Sequence, residues 1–221
     1  MPLLFLIQLI APRFQFGRVF GIVRTMSLAP PILDASMSLY RNVMFAREGL
    51  ERYQREQAWT WEHMALTRAR VLVGSDAARA QLEGLIANVL AQDRDPARLR
   101  EDVLKMRNEM AQHKPASGLL DVKLMRGGLV DLEFAVHFLQ LRDGVALQPD
   151  LGTAILELID QQLLPAEAKP AHDLLTRALV AGRLLAPDLA TPPKSAASAL
   201  ADACDCETYD ALLRRLREAR Q

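Results

Sequence analysis

The order of apolar and polar residues along the chain predicts helices. In several segments apolar side chains recur at intervals of three and four residues, the period of a helix that buries one face. We expect one long helix from about residue 34 or 35 to Gly74, a second from Ser75 and a third from Pro96, with Asp95 as its cap. The remaining predicted helices start at Leu129 and at Thr153, the latter ended by Pro165, and cover 170–186 and 207–220.

The segment from Lys114 to Gln140 has an unusual pattern. The stretch GLLDVKLM meets the pair Gly127-Gly128 and turns at once into the helix that begins at Leu129. On a helical projection Glu133, His137 and Gln140 form one narrow polar stripe, and the rest of the circumference is apolar. A helix of this kind is expected in the protein interior.

Asp131 falls off that polar stripe, so its carboxylate needs an explanation. In one interpretation it lies in the first turn of the helix, where it meets exposed amides and the positive end of the helix dipole. In the other, a basic partner holds it partly desolvated beside a phosphate or metal site, because buried carboxylates are rarely unpaired. The sequence leaves both interpretations open.

A second charged cluster is AWTWEHMALTRAR, residues 58–70. Arg68 projects among apolar positions and therefore needs an anion, either an internal carboxylate such as Asp131 or Asp121, or a phosphate that its planar donor fork can bind. His63 is expected as a packed or solvent-facing helix residue. The two tryptophans, 59 and 61, face different sides of a helix, so core anchors are expected rather than a shared stacking platform.

Composition supports an all-α fold, a multi-helix bundle. Half of the residues are apolar and only 5% are aromatic, while Leu, Ala, Arg and Glu are abundant. The formal net charge of zero indicates no attraction to nucleic acid. The apolar opening LLFLIQLIA is too short to cross a membrane and does not follow basic residues as a signal peptide would. We expect a cytoplasmic protein with free thiols at Cys204 and Cys206.

The first 47 residues differ from the rest. They contain five arginines and one acid, a Pro30-Pro31 break and no sustained helical period. We therefore expect an irregular, atypical segment over 1–47 and a helical domain over 48–221. Phosphate-binding glycine motifs, a GxSxG elbow and an HExxH motif are absent from the sequence, and the four histidines are too widely spaced to indicate a metal site.

Two motifs carry a resemblance to a known family. AWTWEHMALTRAR at 58–70, KPASGLLDVKLMRGGLVDLEF at 114–134 and the Leu-rich tail together resemble the C-terminal helical region of glutamine synthetase adenylyltransferase, over residues 50–221. The resemblance implies an enzyme with two nucleotidyltransferase heads, which transfers AMP from ATP to glutamine synthetase and removes it by phosphorolysis. It also implies magnesium, the PII signal protein as a regulator, and a helical domain that follows the transferase head.

The chain departs from this family where the head should be. Residues 1–47 lack the GS loop with paired aspartates and the D-x-R-L-R-P-like strand, so we expect no catalytic residue, metal ligand or assured cofactor in this chain. The missing head is then a partner, beside glutamine synthetase and PII. The alternatives are a non-catalytic module that binds glutamine synthetase or PII, and a non-functional truncated remnant.

The resemblance suggests a surface that faces the head. The candidates that would face nucleotide or protein substrate are Arg68, Arg70, Lys123, Gly127 and Gly128. The carboxylates expected to orient them are Glu62, Asp121, Asp131 and Glu133.

Overall fold

The structure, a computed structural model, describes residues 47–72, 75–118, 120–186 and 192–221. These residues form nine α-helices and no strand, so the predicted all-α fold is confirmed. The helices are α1 (Arg47–Glu56), α2 (Thr60–Leu66), α3 (Asp76–Leu90), α4 (Pro96–His113), α5 (Leu129–Asp143), α6 (Leu151–Asp160), α7 (Ala168–Leu185), α8 (Lys194–Ala203) and α9 (Tyr209–Glu218). The irregular segment expected over 1–47 lies almost entirely outside the described residues.

The chain divides into two compact units, residues 1–93 and 94–221. In the described part of the first unit, α1 and α2 both pack against α3. The long helix predicted up to Gly74 is wrong, because the backbone turns between α1 and α2. The amides of Gln57 and Ala58 both bind the carbonyl of Tyr53, and Trp59 is extended, with φ −88° and ψ 159°. The predicted start at residue 34 or 35 lies outside the described residues.

The caps read from the sequence are present. Ser75 Oγ accepts from Ala78 N at 3.3 Å and opens α3, whose buried face includes Leu85 and Val89. In the second unit the Asp95 carboxylate accepts from Ala97 N at 2.9 Å, and Pro96 is the first residue of α4. Each cap satisfies an amide that has no partner within its own helix, which explains why these two starts were predictable.

α5 lies at the centre of the second unit, in contact with α4, α6 and α7. Its predicted interior position is confirmed. Two apolar clusters surround it. The first cluster joins α5 to α7, α8 and α9 and contains Leu120, Val122, Leu129, Leu175, Leu200, Cys204, Leu212 and Leu216. The second cluster joins α5 to α6 and contains Val136, Leu139, Ala154, Ile155 and Leu158.

Two helix starts differ from the prediction. α6 begins at Leu151 rather than at Thr153, because Asp150 accepts from the backbone amide and hydroxyl of Thr153, both at 2.8 Å. α8 was missed, since Pro192 and Pro193 indicated a linker. Pro193 occupies the cap of α8, where the N–H that proline lacks is not required. None of the described helices is long and apolar enough to cross a bilayer.

Candidate functional site

The glycine pair lies in a closed turn, here called the glycine corner, which comprises residues 121–131. Three amides at the start of α5 bind carbonyls of the preceding segment: Gly128 N to Met125 O at 2.8 Å, Leu129 N to Val122 O at 3.0 Å, and Val130 N to Lys123 O at 3.1 Å. These are among the donors that a phosphate uses at a helix N-terminus. Because the chain itself occupies them, the corner favours a structural role for the glycine pair.

The two glycines are required for different steric reasons. Gly127 has φ +72°, and a Cβ there would lie 2.0 Å from the carbonyl oxygen of Arg220. Gly128 has an ordinary φ, but a Cβ there would lie 2.4 Å from the carbonyl oxygen of Val122. Only glycine avoids both contacts, since it has no Cβ and tolerates a positive φ.

Asp131 is held by an amide and by an arginine. Its carboxylate accepts from Gly127 N at 2.5 Å and from Nε of Arg107 on α4, whose Nη2 donates to Leu124 O at 3.0 Å. The side chains of Arg107 and Asp131 are 15% and 27% exposed. The contacts combine one element of each interpretation: a first-turn carboxylate that binds an amide, and a basic partner that partly desolvates it.

Arg107 was not among the residues singled out from the sequence. The ion pair joins residues 24 apart, and no local pattern links them. One weak signal existed, because Arg107 follows the buried Val103 by four residues and so shares its face of α4. A charged residue on the buried face of a helix indicates a partner without identifying it.

Asp121 is also engaged within the second unit. It is 5% exposed and accepts from Ser117 N at 3.1 Å, Ser117 Oγ at 3.3 Å and Leu124 N at 3.2 Å. A buried carboxylate is costly unless hydrogen bonds replace its water, and these three donors do so. Asp121 therefore fixes the turn that leads into the glycine corner.

The polar stripe of α5 is largely inside the fold. His137 and Gln140 are 5% and 1% exposed. His137 Nδ1 lies 3.0 Å from Gln140 Oε1, to which it donates as the N–H tautomer, and Gln140 Nε2 donates to Ala146 O at 2.6 Å. Glu133 and Lys123 are half-buried. The histidine and glutamine thus hold the loop after α5.

The WTWEH segment forms a second corner, between α1 and α2. Glu62 accepts from Trp59 N at 2.9 Å through one carboxylate oxygen and from the Tyr53 hydroxyl at 2.7 Å through the other. His63 Nε2 donates to Gln54 O at 2.8 Å. Glu62 and His63 therefore bind the first helix to the second, and Glu62 also accepts from the backbone amide that precedes the first turn of α2.

The expectation that both tryptophans are core anchors is wrong for Trp59, which is 70% exposed. The break between α1 and α2 places Trp59 before the first turn of α2 instead of on a buried helix face. Trp61 is half-buried, as is Arg68, whereas Arg70 is exposed. Both arginines follow the end of α2 at Leu66.

The described residues contain no group of three or more His, Cys, Asp or Glu side chains placed to hold a metal ion. Cys204 and Cys206 are free and buried. Burial raises the pKa of the Cys204 thiol, and the neighbouring Cys206 raises it further. The carboxylates singled out from the sequence that form described hydrogen bonds, Glu62, Asp121 and Asp131, accept them from their own unit.

Comparison with known proteins supports the resemblance drawn from the motifs. Residues 42–85 match the family model for glutamate-ammonia ligase adenylyltransferase. A bifunctional glutamine synthetase adenylyltransferase/adenylyl-removing enzyme from Bradyrhizobium sp. strain BTAi1 is 37% identical over 181 residues, which is 75% of this chain and 18% of that protein. The enzymes of the same name from Agrobacterium fabrum and Rhizobium meliloti are 42% identical over 127 and 130 residues, or 56% and 58% of this chain.

The match covers much of this chain and little of each relative. The two 42% relatives are covered over 13% of their length, and the Bradyrhizobium protein over 18%, so the chain spans less than a fifth of the relatives it matches. The identity covers a large share of a chain in which the described secondary structure consists of helices and connecting turns. The chain is therefore a relative of the bifunctional glutamine synthetase adenylyltransferase/adenylyl-removing enzymes and corresponds to a small, helical part of them.

Proposed function

We propose that this chain is the helical part of a glutamine synthetase adenylyltransferase and that it supports nucleotidyl transfer without performing it. The observation that carries this proposal is the 37% identity with a bifunctional enzyme over three-quarters of the chain. The activity in that relative's name belongs to a protein of which this chain spans 18%. The supporting role is inferred from the hydrogen bonds and ion pairs that the chain's polar side chains form with one another.

Those polar groups hold helices together. Glu62 joins α1 to α2, Asp131 joins α4 to the start of α5, and Asp121 fixes the turn before the glycine corner. Two-metal phosphoryl transfer needs carboxylates with oxygens directed at the metal ions. We therefore assign ATP and magnesium to a nucleotidyltransferase head outside residues 47–221, and place the complex in the cytoplasm with glutamine synthetase and PII.

The surface proposed to meet the partner protein lies in the first unit and contains Trp59 and Arg70. Both side chains are exposed. Tryptophan and arginine are over-represented among the residues that dominate protein interfaces. Arg68 is assigned the role of shaping this surface, whereas Lys123 and the glycine pair lie in the second unit and are given no part in it.

Binding of purified glutamine synthetase to the immobilised full chain tests the proposal. We expect binding without ATP, and a loss of about tenfold or more in affinity for Trp59→Ala and for Arg70→Glu. The matched controls are Leu104→Ala and Lys105→Glu on the exposed face of α4, which should bind as the parent does. Equal affinity for all four variants would reject the proposed surface.

A second arm tests the assignment of catalysis. The chain with ATP and magnesium should incorporate no AMP into glutamine synthetase, and addition of a separately purified nucleotidyltransferase head should permit incorporation. AMP incorporation by the chain alone would overturn the supporting role. If the chain binds neither glutamine synthetase nor PII, and the head works equally well without it, the truncated-remnant alternative is correct.

A further inference from the structure

α9 closes the first apolar cluster from one side. Leu212 and Leu216 are 0% and 1% exposed and pack in the same cluster as Val122 of the glycine corner and the two cysteines. The outer face of α9 is charged, and the helix has ten residues. A helix this short is marginal in water on its own, so the stability of α9 comes from the surfaces on which it sits.

One end of α9 is fastened at the glycine corner. The carbonyl group of Arg220 lies against Gly127, closely enough that a Cβ there would overlap it. The Arg220 guanidinium donates from Nη1 to the sulfur of Met125 at 2.7 Å and from Nε to Leu216 O at 2.8 Å. Because Gly127 has no side chain, the turn that ends α9 can pack directly against it.

A second arginine, Arg215 in the last turn of α9, binds the turn that contains both cysteines. Arg215 Nη1 lies 3.1 Å from Asp205 O, 3.4 Å from Cys204 O and 3.4 Å from Cys206 Sγ. Asp205 has φ +53°, a left-handed conformation that is uncommon outside glycine but that aspartate adopts more readily than most residues. One arginine thus binds the carbonyls of this turn and contacts one of its sulfurs.

We propose that α9 is a strap latched by Arg220 at the glycine corner and by Arg215 at the cysteine turn, and that its release exposes Cys204 and Cys206 as a reactive thiol pair. In the closed state the two residues are 1% and 7% exposed. Local opening of one short helix costs less free energy than global unfolding. The ligand class is a thiol-reactive one, either a soft electrophile or a disulfide.

The rate of thiol exchange in the full chain reports on the strap. An aromatic disulfide such as dithionitrobenzoate reacts when a cysteine thiolate attacks its S–S bond, which forms a mixed disulfide and releases one coloured aromatic thiolate. These are the only two cysteines in the sequence, so no other thiol contributes. Gly127→Ala should accelerate release of that thiolate by about tenfold or more, because the added methyl group overlaps the carbonyl group of Arg220 and so favours local opening of α9.

Gly144→Ala is the matched control. Gly144 has φ +67°, close to that of Gly127, but an added Cβ would meet nothing within 4 Å. Both substitutions carry the strain of a positive φ, and only Gly127→Ala overlaps the end of α9. Equal exchange rates in the two variants, both still helical by circular dichroism, would overturn the strap.

Arg215→Ala provides a second test if Gly127→Ala does not fold. It removes the contacts of α9 with the cysteine turn and alters no glycine. We expect exchange several times faster than in the parent, with a weak dependence on urea, because local opening exposes little surface. An unchanged rate, or a urea dependence as steep as that of global unfolding, would show that the thiols are released only by unfolding and would overturn the proposal.

Discussion

Replacing Asp131 with alanine tests whether the glycine corner is a structural joint. The substitution removes the carboxylate that accepts from Gly127 N and from Arg107 Nε. Arg107 keeps its hydrogen bond to Leu124 O but loses its only anion among the contacts described for it. Two donors and one positive charge are then left without the partner that compensated them.

The expected loss in the free energy of unfolding lies between two known limits. Removing one partner of a fully buried ion pair costs about 3–5 kcal/mol, and exposed pairs contribute about 0–1 kcal/mol. The side chains here are 15% and 27% exposed, which is nearer to the buried limit but admits some solvent screening. We expect Asp131→Ala to lower the free energy of unfolding by about 2–3 kcal/mol.

Urea unfolding followed by far-ultraviolet circular dichroism measures this loss. With a urea dependence of about 1–3 kcal/mol per molar, the midpoint should fall by about 0.7–3 M. Adding Arg107→Met to Asp131→Ala should recover about 1 kcal/mol, since it replaces an unpaired charge with an apolar side chain of similar length. The matched control is Glu51→Ala, which breaks an exposed ion pair and should cost less than about 0.5 kcal/mol.

The reasoning is refuted if Asp131→Ala costs no more than Glu51→Ala. It is also refuted if Arg107→Met deepens the loss in the Asp131→Ala background, because the arginine would then stabilise the fold through packing and not through its pairing with Asp131. Either result would favour the other interpretation, in which Asp131 lies beside a phosphate or metal site.

Three further predictions concern other polar contacts. Glu62→Ala should lower stability by about 1–2 kcal/mol through loss of the cap of α2, measured from the urea midpoint of tryptophan fluorescence, and Glu62→Gln should lose less. Gln140→Leu should cost about 1–2 kcal/mol, because His137 and the carbonyl of Ala146 each lose one hydrogen bond, as calorimetry can measure. Hydrogen bonds from the amide and hydroxyl of Thr153 lower the pKa of Asp150 below its usual 3.8, so its stabilisation is present above the unfolded-state value and is lost as pH falls through the folded one. Asp150→Asn should therefore flatten the fall of the thermal midpoint between about pH 5 and pH 2, and an unchanged slope would contradict this.

Much of the secondary structure could be predicted because its signals are local. The apolar period of α3 and α5, the serine cap at Ser75 and the Asp95-Pro96 start each involve residues within one or two turns of each other. The failures have local causes as well. The break before Thr60 depends on a tryptophan in the cap position, and α8 follows two prolines that indicated a linker.

By itself the sequence determined that the described chain is helical, that α5 lies in the protein interior, and that two motifs relate the chain to the adenylyltransferases. It could not identify Arg107 as the partner of Asp131, nor Arg220 as the neighbour of Gly127. The physical reason is the distance along the sequence between the groups that interact. Helix period and caps are fixed by neighbouring residues, whereas a desolvated ion pair, or the close contact of Arg220 with Gly127, depends on which distant segments the apolar core brings together. Tertiary structure alone decided that Glu62 and Asp131 join helices and that Trp59 faces solvent.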